Sequence, residues 1–93
     1  MKIKNEDVQR LAEIRRDFAE PPHLLRLESY ATQRIEEVLQ TLRSYTFAHK
    51  LATELEIFIP LIREDASNQR AIRQHMIDFS KALSVIWQYK DRY

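Results

Sequence analysis

The side chains best suited to chemistry in this chain are three histidines, His23, His49 and His75, and the carboxylates scattered between them. Histidine ligates zinc, and near neutral pH it carries protons. Zinc sites announce themselves through ligand spacing, such as two histidines four residues apart on one helix face. No pair of histidines here has that spacing. Glu36-Glu37 and Glu64-Asp65 are adjacent pairs, and adjacent residues point to different sides of a helix. No Ser-His-Asp set is readable. The expectation is therefore no metal, no cofactor, no catalytic residue and no enzymatic activity. His49 is expected on an apolar seam as a partly buried polar residue, and His23 beside a helix start.

The string Arg70-Ala71-Ile72-Arg73-Gln74-His75 stands out because an arginine and a histidine share the start of one helix. It resembles the R-x4-6-H signature of HEPN-type helical ribonucleases. The resemblance covers these six residues and departs from the family at Ala71, where a polar residue is usual. It implies that Arg70 would steady phosphate charge and His75 would shuttle a proton. The simpler reading is a solvated helix face on which His75 pairs with Asp78 one turn on, and it ranks above the ribonuclease.

Charge is uneven along the chain. Residues 67–93 carry five basic and two acidic residues, whereas residues 47–66 carry two basic and four acidic ones. Arg70, Arg73 and Lys81 could contact nucleic-acid phosphates from the last helix. The competing expectation pairs those cations with the acidic segment across the helix interface. A formal net charge of +1 favours the second, because nothing global attracts a polyanion.

Apolar side chains are more informative. Ile57-Phe58-Ile59-Pro60-Leu61-Ile62 surrounds most of a helix, and so does the run containing Ala82, Leu83, Val85, Ile86, Trp87 and Tyr89. A surface helix needs only one apolar stripe. Such width marks either a bundle centre or a second contact surface, and large apolar and aromatic residues are what interfaces use as anchors. Phe58, Leu61, Trp87 and Tyr89 are the expected anchors.

These residues must be positioned by helices. Asn5 can cap a first helix with Glu6 and Asp7 in its opening turn and Val8, Leu11, Ile14 and Phe18 on one face. Pro21-Pro22 ends it, and Pro22 suits the first turn of the next. From Leu24 an apolar seam runs through Leu27, Ala31, Ile35, Val38, Leu42, Tyr45, His49, Ala52, Leu55, Ile59, Ile62 and Ala66 in steps of three or four. That is about six heptads, enough for coiled-coil-like packing. Asp65-Ala66-Ser67-Asn68 breaks it, and Asn68 or Ser67 can cap a last helix carrying Ile72, Met76, Phe79, Leu83 and Ile86.

Two architectures remain. Residues 22–65 could form one long kinked helix, because Ser44-Tyr45-Thr46-Phe47 lacks every strong turn residue. Alternatively the chain turns near Ser44 and closes a four-helix monomer. Pro60 marks a kink in either case.

The absence of glycine removes phosphate-cradling loops, dinucleotide fingerprints and nucleophile elbows in their usual forms. No cysteine means no disulfide framework and no thiolate metal site, which suits a reducing cytoplasm. The first residues have no apolar core of a secretion signal, and no run approaches the ~20 apolar residues of a membrane span. The sequence thus predicts a single all-α domain over residues 1–93, an antiparallel bundle of three to four helices. The function it favours is a non-enzymatic interaction module: an adaptor, inhibitor or regulatory subunit that binds a larger protein, self-associates as a homodimer and does not engage a membrane. Nucleic-acid binding through Arg70, Arg73 and Lys81 is the alternative, and the ribonuclease around Arg70 and His75 is third.

Overall fold

A computed structural model describes residues 3–88. Five α-helices follow one another: α1 (Asn5–Ala19), α2 (Leu27–Arg43), α3 (His49–Leu55), α4 (Phe58–Glu64) and α5 (Gln69–Leu83), with a 3₁₀ turn at Thr46–Ala48 before α3. No strand occurs among the described residues. Helices α3 and α4 form one bent arm, so the chain makes an all-α bundle of four arms.

The contacts fix an up-down-up-down order. Leu11 of α1 meets Ile86 beyond α5, and Phe18 at the other end of α1 meets Phe79, so α1 and α5 are antiparallel. At one end of the bundle, Gln69 and Arg73 at the start of α5 bond to the segment that leads into α2. At the opposite end, the Lys4 amide before α1 bonds to Tyr45 after α2. Helix α2 touches every other helix and buries the widest face. Its seam residues Leu27, Ala31, Ile35, Val38 and Leu42 are joined in the interior by Thr32, Leu39 and Thr41. Both threonines keep their hydroxyls satisfied by donating to carbonyls one turn back, at Glu28 and Glu37. The core is a single cluster centred on Phe79, which packs against Phe18 at 5.2 Å and edge-on against Phe58 at 5.4 Å.

The long kinked helix over residues 22–65 does not form. Its first interruption is at Ser44-Tyr45. Ser44 and Tyr45 donate to Thr41 and Leu42 in tight i to i−3 bonds, and Tyr45 then takes an extended backbone with φ −117° and ψ 116°. The turn lacks glycine because every φ along it is negative; among the described residues no φ is positive. Tertiary bonds to the buried Tyr45 hydroxyl supply what local turn chemistry does not.

The second interruption is at Glu56-Ile57 and follows from Pro60. Proline has no amide to offer the Glu56 carbonyl, so Ile59 takes that acceptor in a shorter-range bond at 3.2 Å. Helix α4 restarts at Phe58, which leaves Pro60 in a first turn, where it is tolerated. The seam is therefore folded back on itself and does not run as a coiled coil. Leu24, His49 and Ala66 leave it and are exposed, while its other members are buried. Pro22 lies in the α1–α2 connection, five residues before α2 starts at Leu27. The residue preceding α1 is Lys4, and Asn5 is its first helical residue. Asn68 caps α5, its Oδ1 accepting from the Ala71 amide at 3.1 Å.

Candidate functional site

The wide apolar run of residues 57–62 divides between interior and surface. Ile59 and Ile62 are buried, and Phe58 is half-buried against Phe79. Ile57 remains 58% exposed and Leu61 37% exposed, one helical turn apart and flanking the exposed Pro60. The α3–α4 bend turns this face outward. Beside it lies a hollow of about 360 Å³ lined by Thr53, Glu56, Ile57 and Pro60. Of the expected anchors, Leu61 thus lies on an open apolar face, and Phe58 packs chiefly inward. Trp87 is half-buried, with the Arg15 guanidinium 4.2 Å above its ring, at the α1 edge of the bundle. Tyr89 lies outside the described residues. The structure does not gather these anchors into one patch: Phe58 and Leu61 belong to α4, whereas Trp87 packs by α1.

Ile57 and Val85 inside the two apolar runs, and Leu24 and Leu25 before α2, are exposed apolar residues that spacing does not single out as anchors. Leu25, 97% exposed, precedes α2 in a segment held firmly from α5. Gln69 Nε2 donates to the Leu24 and Leu25 carbonyls at 3.2 Å each, and Arg73 Nη1 donates to the Pro22 carbonyl at 3.2 Å. The backbone of Leu25 is fixed while its side chain faces water.

The polar candidates find local partners. Arg73 also donates to His23 Nδ1 at 3.4 Å, so it is engaged with the α1–α2 connection. Arg70 and Lys81 are exposed on α5, eleven residues and roughly 16 Å apart along the axis. None of the three forms an ion pair with a carboxylate of the acidic segment; the described ion pairs are Arg34–Glu37, Arg43–Glu56 and His75–Asp65. The expected pairing across the helix interface is therefore not how these charges are arranged. His75 donates from Nε2 to Asp65 at 2.9 Å and not to Asp78, which accepts from Gln74 instead. Arg70 and His75 are separated by about 140° around a regular helix, so they face different sides of α5. His49 donates from Nε2 to the Arg43 carbonyl at 2.8 Å. It closes the end of α2, satisfying one of the carbonyls a helix terminus leaves free. It is exposed, where partial burial was expected.

A hollow between α1 and α2 of about 330 Å³ gathers Arg10, Glu13, Asp17, Arg34 and Glu37. Its charges alternate: Arg34 pairs with Glu37 at 3.2 Å, and that partnership holds its guanidinium pKa above the ordinary value. Among the described residues no three histidines or carboxylates converge to hold a metal ion, and no helix is long and apolar enough to cross a membrane.

Searches against protein-family models, curated proteins and solved structures find no match.

Proposed function

We propose that this chain is a small, cytoplasmic, non-enzymatic interaction module that offers the α3–α4 bend to a larger protein partner and to copies of itself. One observation carries the reading: Ile57 and Leu61 stay exposed on either side of Pro60 although the same run supplies Ile59 and Ile62 to the core. Apolar side chains grouped on one helical surface beside a hollow are material for a contact surface, whose fully buried centre is richer in apolar area than its rim. Proline stiffens the presenting turn, which lowers the ordering cost of association. The mechanism is bridging or occlusion of a partner's surface, with Ile57, Pro60 and Leu61 as the contact and Phe58 as its support from beneath.

The test compares the full chain with an Ile57→Glu/Leu61→Glu variant. Both positions are exposed, so the variant should melt within a few degrees of the parent, as circular dichroism would show. Sedimentation equilibrium reads self-association, and affinity capture reads the partner. The double substitution is expected to abolish association, each anchor being worth about 2 kcal/mol or more. Undiminished self-association and an unchanged set of captured proteins would exclude this face as the binding surface. Nuclease-sensitive recovery would favour the nucleic-acid alternative through Arg70 and Lys81.

A further inference from the structure

The face formed by α1 and α5 carries a groove of a different kind. Arg15 and Arg16 of α1 and Lys81 of α5 converge on an open groove of about 440 Å³, with Ala12, Ala19 and Ser84 between them. That volume is in the range of about 300–1,000 Å³ usual for small-molecule sites. Three cations line it and no carboxylate does. The hollow on the opposite side of α1 is the contrast, since its lining sets three acids, Glu13, Asp17 and Glu37, against the two cations Arg10 and Arg34.

Among the nearby acids, Asp17 and Glu13 line the α1–α2 hollow and Asp78 accepts from Gln74; Glu20, one turn beyond Arg16, does not line the groove. Arg15, Arg16 and Lys81 form no ion pair with any described residue. The two serines that line the groove, Ser80 and Ser84, add no donor: Ser80 Oγ donates to the Ile77 carbonyl and Ser84 Oγ to the Ser80 carbonyl. The donors available to a guest are therefore cationic. Arg15 is also pre-positioned, its guanidinium resting 4.2 Å above the Trp87 ring. Stacking of this kind leaves the planar fork of N–H donors free at its edge for a phosphate oxygen.

We propose that the groove binds a compact phosphate-bearing anion, such as the di- or triphosphate group of a small molecule. Three like charges held together without counter-charge are relieved by an anion, and phosphate suits both the arginine fork and the lysine point charge. A small guest fits better than a nucleic-acid strand because the cations form a local cluster. Continuing along α5, Arg73 is occupied by Pro22 and His23, and Arg70 is three turns away. The backbone of a strand needs a track of charge, which this surface does not provide.

Trp87 is the chain's single tryptophan and sits against Arg15, so it reports on the site directly. The experiment titrates the full chain with sodium tripolyphosphate at low ionic strength, following Trp87 emission and, in parallel, heat by calorimetry. Binding at one site per chain is expected, weakening as salt is added. An Arg16→Ala/Lys81→Ala variant, altered only at exposed positions, should melt as the parent does and bind about tenfold more weakly or worse. The proposal is overturned if neither signal saturates, or if the double variant binds as well as the parent. It is equally overturned if a single-stranded oligonucleotide binds and tripolyphosphate does not compete with it.

Discussion

The Tyr45 hydroxyl accepts from the Lys4 amide at 3.0 Å and donates to the Asp7 carboxylate, a residue 38 positions earlier in the chain. Those two bonds join the start of α1 to the turn after α2, and the ring lies against Phe47 at 5.8 Å. Burial pushes the phenol's pKa above the ordinary tyrosine value; the Asp7 bond adds to this and the Lys4 amide opposes it. A phenol whose folded pKa is raised holds its proton more tightly when folded. Its contribution to stability is complete below the unfolded value near 10 and is lost as pH rises through the folded value. Tyr45→Phe should cost about 1–2 kcal/mol at neutral pH in urea unfolding, because it leaves Asp7 and the Lys4 amide without this partner. The parent should also lose stability more steeply than Tyr45→Phe above pH ~10. Identical profiles would mean that the hydroxyl does not govern the turn. Tyr45 was legible as a seam residue, but its hydrogen bonds were not, since both partners are remote in sequence. His75 shows the same limit: Asp78 one turn away was the natural guess, and Asp65 across the α4–α5 connection is the partner.

Helix ends divide between those that local chemistry writes and those it does not. Asn68 was readable as the cap of α5, and its side chain accepts the Ala71 amide as caps do. Asn68→Ala should destabilise the fold by about 1 kcal/mol, measured as a shift in the urea midpoint with an unchanged slope. No shift would show that water replaces the cap without loss. The Pro21-Pro22 and Asp65–Asn68 breaks were equally plain, and Leu11, Ile14 and Phe18 on α1 fill the buried face that their spacing indicated. The bend at Pro60 was expected as a kink and is realised as a helix restart. The exposed pair at the bend was harder to see. Periodicity marks which residues can share a face, but two faces of residues 57–62 are apolar, and only docking onto α2 and α5 chooses which one is covered.

At the scale of the whole molecule, the Cα radius of gyration is 12.9 Å, close to the ~13 Å expected of a folded 100-residue domain. The apolar excess that suggested a second copy is only partly taken up by folding: Leu83, Ile86, Ile59 and Ile62 are buried, while Ile57, Leu61 and Val85 are exposed. Phe79 joins α5 to α1 and α4 through Phe18 and Phe58, so Phe79→Ala should cost about 3–5 kcal/mol. Against a total stability of roughly 0.05–0.15 kcal/mol per residue, that is a large share, and the variant should be partly unfolded at 37 °C by circular dichroism. A loss below about 1 kcal/mol would show that the core can collapse around the gap. Helix content, the faces of α1 and α5 and the two firm breaks were determined by the sequence alone, because capping, proline and periodicity act over a few residues. Whether residues 22–65 ran straight or turned back was decided only in three dimensions. The turn is held by Tyr45 reaching the start of α1, and local rules cannot register a bond whose partners meet only once the bundle has closed. The same closure brings Arg15 and Arg16 beside Lys81 and leaves Ile57 and Leu61 in water.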